Sequence, residues 1–218
     1  MTRIHILGGT GYAGAYITHE AAKRGHQVVS FSRSRPAEIA PGVTYTTGDA
    51  SDDAFLASVF DDDPDVVISA LSPRGALEGE GKLRAILRKT AGIAAERGVR
   101  FGVIGGAGSL LVEPGGPRFV DTPAFPEIAI PEASELAGVL DDLRAFENDW
   151  LDWFLVSPAP QFGSHAPGEA LGHYRVGGDV ILADENGLSA ISGADFAVAV
   201  VDEIEKPTHR RKRFTVAY

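Results

Sequence analysis

The sequence predicts an α/β fold: a doubly wound, mostly parallel sheet flanked by helices, formed by residues 1–218 as one domain. A small C-terminal region is expected to complete the substrate side of that domain. Three observations carry this prediction. Short apolar runs alternate with amphipathic stretches along the whole chain, the pattern of a parallel sheet with crossover helices. The first apolar run leads straight into closely spaced glycines and then a helical pattern. No internal repeat or flexible linker divides the chain.

Taken in order, the runs predict strands at 3–7, 27–32, 43–47, 65–70, 100–105, 152–157 and 213–217. Helical periodicity predicts helices over 12–24, 52–60, 78–97, 132–149 and 193–205. In the third helix Leu83, Ile86, Leu87, Thr90 and Ala94 share one face; in the fourth, Leu136, Val139, Leu140, Leu143 and Trp150 do. The last helix buries Phe196, Val200 and Ile204, with Asp195, Asp202 and Glu203 as its polar punctuation. Two irregular stretches, 106–131 and 158–179, follow neighbouring strands and are expected to wall a substrate cleft. Open α/β sheets place their ligands at those strand ends, and long loops in compact domains tend to be functional.

Composition narrows the classes. The formal net charge of −10 argues against non-specific nucleic-acid binding, which depends on Lys and Arg neutralising phosphates. With no cysteine, disulfides, thiolate catalysis and Cys-ligated metals are excluded. No apolar run reaches the roughly 20 residues that span a bilayer, and no basic-then-apolar leader is visible, so no membrane association and a cytoplasmic location are expected. Asp61-Asp62-Asp63 before Pro64 lacks metal-loop spacing and reads as a solvated turn, so no metal site is expected. The basic run His209–Arg213 reads as an exposed turn before the closing strand.

The chemistry-bearing motif is Gly8-Gly9-Thr10-Gly11-Tyr12-Ala13-Gly14, in which Gly9, Gly11 and Gly14 satisfy G-x-G-x-x-G. Early glycines permit a tight turn and close backbone approach to a pyrophosphate; the last lets the helix pack on the strand. The helix then presents free N–H groups and its positive dipole end to the phosphates. The strand–loop–helix context makes a dinucleotide the favoured ligand.

After the second strand stands Ser32-Arg33 in place of the acid that would accept hydrogen bonds from a 2′-hydroxyl. A guanidinium there suits a 2′-phosphate, so NADP(H) is expected over NAD(H). Arg35, before Pro36, reads as a solvated charge. Asp49 and Ala50 close the third strand beside adenine, with Ser51 or Asp52 capping the next helix. Ala70, Leu71 and Ser72 leave room for the adenosine ribose, and Gly105, Gly106 and Pro158 lie at the nicotinamide end.

These motifs, with Gly105–Ser109, Val156-Ser157-Pro158 and the ending Phe214-Thr215-Val216, resemble the atypical short-chain dehydrogenase/reductases with a Rossmann-type NAD(P)H-binding domain. Within them the chain is similar to the NADH-flavin reductase-like, biliverdin-IX-beta reductase-like and NmrA-like proteins. The likeness covers essentially the whole chain. One departure matters. The wider superfamily uses Tyr-x-x-x-Lys as its acid, and none of Tyr12, Tyr16, Tyr45, Tyr174 and Tyr218 has Lys four residues on.

The resemblance therefore implies hydride transfer to a small-molecule acceptor that is planar, such as a flavin, quinone or conjugated compound, for which solvent supplies the proton. A non-catalytic NADP(H) redox sensor, acting through protein partners as monomer or homodimer, is the alternative. Ser109 has two readings, a hydrogen-bond donor to the acceptor or a turn-stabilising serine. Tyr174, with His165 and His173 in the second irregular stretch, is the other candidate, as proton donor or as lid aromatic. Asp121 and Glu127 read as exposed, and Trp150 and Trp153, flanking the sixth strand, as core or interface aromatics.

Overall fold

The computed structural model describes residues 1–218. Eight strands form one sheet: β1 (Arg3–Leu7), β2 (Gln27–Ser32), β3 (Val43–Thr47), β4 (Val66–Ser69), β5 (Arg100–Ile104), β6 (Trp153–Pro158), β7 (Arg175–Gly177) and β8 (Lys212–Ala217). Five helices connect them: α1 (Tyr12–Lys23), α2 (Asp53–Ser58), α3 (Lys82–Arg97), α4 (Ile130–Arg144) and α5 (Gly193–Glu205). The spatial order is β3-β2-β1-β4-β5-β6-β8-β7, parallel throughout except for β7 against β8. After β1 the chain winds outward through β2 and β3, then returns to place β4 on β1's other side. The switch point between β1 and β4 follows directly, and this is where such sheets open a crevice at their carboxyl ends.

Both faces of the sheet are covered, so its strands bury alternate residues into two separate cores. On β6, Trp153 and Leu155 join the layer of α2, α3 and α4, while Phe154 and Val156 join that of α1 and α5. On β1, Leu7 faces the first layer and Ile4 and Ile6 the second. Helix ends are tied across elements. The buried Glu135 carboxylate of α4 accepts from the Gly81 and Arg84 amides at 2.8 and 3.0 Å, capping α3, whose own N-cap glycine has no side chain to do so.

The predicted strands and helices recur with small shifts, and four differences have physical causes. The third helix begins at Lys82, because Gly79 and Gly81 take φ of +117° and +77°, outside helical space. The fourth ends at Arg144: Asn148 accepts from the Trp150 amide at 2.9 Å in a local turn, leaving Trp150 84% exposed rather than on the buried face. The three-residue β7 was not predicted; it depends on antiparallel pairing with β8 rather than on a run of its own.

The fourth difference concerns the basic run, which is not uniformly exposed. Arg210 and Arg211 pair with Asp152 and Asp149, whereas Arg213 is buried and ion-paired to Asp179. Asp62 and Asp63 do form a turn, with positive φ and carbonyls that accept from Arg3.

At the edge opposite the cleft, α5 is locked to β5. Glu203, 3% exposed, accepts from Arg100 at 2.5 Å and from the Thr208 hydroxyl at 2.7 Å, and contacts His209 at 2.8 Å. Burial alone would raise its carboxyl, but Arg100, His209 and Thr208 together hold it below the ordinary glutamate value of 4.5. A depressed carboxyl contributes stability that is complete above its unfolded value and lost as pH falls through the folded one. Glu203→Ala is expected to lower the unfolding free energy by about 3 kcal/mol, measured by urea titration at pH 7. The variant should also show a flatter loss of stability below pH ~4.5 than the parent.

Candidate functional site

The site begins with the turn between β1 and α1. The Gly8 amide donates to the Phe31 carbonyl at 2.8 Å and Gly11 to the Gly8 carbonyl at 3.0 Å, so the loop bends back over β2. Gly8 has φ +78°, and a Cβ there would lie 2.9 Å from the Ala70 carbonyl oxygen on β4's far end. A Cβ on Gly14 would lie 2.2 Å from the Gly8 carbonyl, and one on Gly9 2.4 Å from the Ser30 hydroxyl. Gly9 and Gly14 are therefore packing glycines beneath the loop and do not line the cleft. Gly11 precedes α1 with no side-chain cap, which leaves the first-turn amides facing outward.

Two cavities open at the carboxyl edge and share Gly11, Ala70, Leu71, Ser72 and Arg74. The narrower, about 270 Å³, runs over Gly8, Thr10, Ser32, Arg33, Asp49 and Ala50. Here the Ser32 hydroxyl accepts from the Thr10 amide at 3.2 Å, fixing the loop against β2. Asp49 accepts from the Ser51 amide and hydroxyl at 2.9 and 2.8 Å; these bonds, against slight burial and aided by Arg33, hold its carboxyl below the usual range. Asp52, not Ser51, caps α2 through the Ala54 and Phe55 amides. Arg33 is exposed and forms no hydrogen bond or ion pair within the protein.

The wider cavity, about 460 Å³, holds Tyr12, Ala13, Gly105, Gly106 and Pro158 and is walled by aromatic side chains. Phe119 and Phe125, packed edge to face at 5.0 Å, stand on one side; Phe162, in contact with Tyr12 at 5.3 Å, stands on the other. An ion pair crosses the mouth, with Arg74 Nε 2.8 Å from Glu132 Oε2.

The expected catalytic side chains lie elsewhere. Ser109 is 4% exposed, in a 3₁₀ turn outside the cleft lining, and its carbonyl accepts from Arg213 at 3.5 Å. Tyr174 is also off the cleft: its hydroxyl donates to Asp202 of α5 at 2.5 Å, and burial and that carboxylate hold the phenol well above its ordinary pKa. His165 does line the cleft and His173 does not. Phe119, Phe125, Phe162, Arg74 and Glu132 were not singled out from the sequence. The one local sign was phenylalanine placed within Gly/Pro-rich stretches rather than in strands.

Residues 8–207 match the family described as NAD(P)H-binding. The chain belongs to that family. A Bacillus subtilis relative, YwnB, is 37% identical over 221 residues, covering 98% of this chain and 97% of its own. Among solved structures, a Streptococcus pneumoniae protein described as a candidate NADH-flavin reductase is 32% identical with TM-score 0.83, over 100% of this chain and 99% of its own. A Bacteroides thetaiotaomicron protein described as a candidate epimerase is 30% identical with TM-score 0.86, over 100% and 98%.

A nicotinamide dinucleotide is the cofactor of an NAD(P)H-binding domain, and the residues present fit one. The cradle at Gly8 admits no side chain, α1 is uncapped, and Arg33 is an unpaired cation on the same cavity. No helix is long and apolar enough to cross a membrane.

Gly14→Ala should force Gly8 and α1 apart, at a cost of about 1–3 kcal/mol, and weaken nicotinamide dinucleotide binding at least tenfold by calorimetry. Gly92→Ala, in α3 with nothing within 4 Å of the new methyl, should instead raise the melting temperature and leave binding unchanged.

Proposed function

We propose that the protein is an NADPH-dependent oxidoreductase that reduces a small planar acceptor such as a flavin, a quinone or a conjugated compound. The observation that carries this reading is the continuity of the cleft. Its narrow end has a free cation beside the glycine turn, and its wide end has aromatic walls beside a self-neutralising Arg74–Glu132 pair.

In this reading the backbone of Gly8–Gly11 and the first turn of α1 hold the diphosphate. Arg33 holds the 2′-phosphate, with Ser32 beside it and Asp49 and Ala50 against the adenine. Ala70, Leu71 and Ser72 form the middle of the trough, and Gly105, Gly106 and Pro158 leave room at the nicotinamide end. The bound cofactor supplies a hydride. Phe119, Phe125 and Phe162 orient a flat acceptor over that end and exclude water, so the protein contributes mainly positioning. The description of the S. pneumoniae relative supports this assignment, as does the lack of any Tyr-x-x-x-Lys acid for carbonyl–alcohol chemistry.

Arg33→Ala should weaken NADPH binding by about 10–100-fold, the range of a lost charge-assisted contact, and change NADH binding less than twofold. Calorimetric titration of both nucleotides against both proteins checks this. Equal losses for the two would remove Arg33 from the 2′-phosphate role. Tighter binding of NADP⁺ than NADPH, with no turnover of flavin or quinone, would favour the sensor instead.

A further inference from the structure

Four ionisable side chains line the wide end of the cleft: Tyr12 from α1, Arg74 from the segment after β4, Glu132 from α4 and His165 from the segment after β6. Three are engaged. The Tyr12 hydroxyl donates to the Pro167 carbonyl at 3.4 Å, and Arg74 and Glu132 neutralise one another across the mouth. The His165 imidazole has no hydrogen bond or ion pair within the protein.

Its placement is built by the turn that carries it. The Ala166 amide donates to the Gly163 carbonyl at 3.0 Å, which puts Ser164 and His165 at the tip. Gly163 has φ +137°, and a Cβ there would lie 2.9 Å from both Cε1 and Nδ1 of the imidazole. The ring thus folds back over its own turn into space that only glycine leaves open. Phe162, one residue before, anchors the turn by packing on the buried Phe196 at 4.5 Å.

Hydride addition to a ring carbonyl or ring nitrogen leaves an anion that must take up a proton. Histidine is the residue type whose proton is exchangeable between pH 5 and 8. We propose that His165 is the proton donor of this cleft, its imidazolium touching the carbonyl oxygen or ring nitrogen of an acceptor held between Phe162 and the Phe119–Phe125 pair. The inference rests on the reductase reading above. In balance, the reduced nicotinamide dinucleotide loses a hydride and is oxidised, and the acceptor gains that hydride and its two electrons. The imidazolium N–H bond breaks as an O–H or N–H bond forms on the acceptor. The neutral imidazole, exposed on its outer side, regains its proton from solvent.

Two measurements test this with menadione as the quinone probe. The first is proton NMR of the His165 ring, its signal assigned by loss in His165→Gln, titrated with and without menadione in the absence of nucleotide. A hydrogen bond to the acceptor favours the charged ring, so the midpoint should move upward when menadione is present. An unmoved midpoint overturns the proposal. The second compares NADPH-driven reduction of menadione with that of N-methylacridinium, a cation that hydride alone neutralises. In His165→Gln the ratio of the two rates should fall about 10²-fold, the usual scale of general acid catalysis. An unchanged ratio overturns the proposal. A parent protein that reduces neither acceptor overturns the reductase reading and the proton-donor role with it, while the NMR midpoint separately decides whether His165 touches the ring.

Discussion

Everything at the carboxyl edge depends on a contact between pieces of backbone. α1 rests on the turn that precedes it so closely that Gly14 leaves no room for a methyl group against Gly8, and Gly9 none against Ser30. Because these surfaces touch, α1 starts directly over the end of β1 and aims its uncapped amides along the crevice. Gly8, pressed against Ala70, brings the end of β4 to the same point. The two cavities meet there, sharing Gly11, Ala70 and Leu71. A helix displaced by a single methyl group would separate the narrow end of the cleft from the wide one.

Most of the fold is legible in the sequence because the inner parallel strands, buried on both faces, are written as apolar runs, and the edge strand β3 as a run of β-formers, Val-Thr-Tyr-Thr-Thr. β1, β2 and β3 keep their predicted bounds, and each of the other long strands shifts by no more than a residue or so at either end. The errors fall where local signals conflict with tertiary ones. Ala145-Phe146-Glu147 continues a helical composition, yet the turn at Asn148 and the return of the chain to β6 end the helix earlier. β7 has too few residues to declare itself and depends on β8 for its existence. Arg213 looks like its exposed neighbours, but strand alternation turns it inward, where Asp179 and the Ser157 hydroxyl receive it.

The candidate site divides along the same line. Residues of the narrow end come from contiguous motifs at strand ends, so spacing alone collects Thr10, Gly11, Ser32, Arg33 and Asp49. The wide end is assembled from segments distant in sequence. Phe119, Phe125 and Phe162 meet across the cleft only because two irregular stretches leave adjacent strands, and Arg74 finds Glu132 fifty-eight positions away. Ser109 and Tyr174 illustrate the converse. Each occupies a plausible stretch, but a 3₁₀ turn tucks the serine beneath the floor and Asp202 draws the tyrosine to the back of the sheet.

Charge adds a last constraint. A chain of net charge −10 is an unfavourable host for a polyanion at long range. That repulsion is screened within about 8 Å at physiological ionic strength, so the groups lining the cleft decide. Many carboxylates are already matched elsewhere: Asp142 with Arg84 and Arg88, Asp202 with Arg24, Glu203 with Arg100. On the narrow cavity the one carboxylate, Asp49, is turned into bonds with Ser51, while Arg33 stands without a partner. On the wide cavity Arg74 and Glu132 cancel, leaving aromatic walls and one histidine. The two ends therefore present different chemistry: an unpaired cation beside the glycine turn, and aromatic walls with one unpaired histidine at the other.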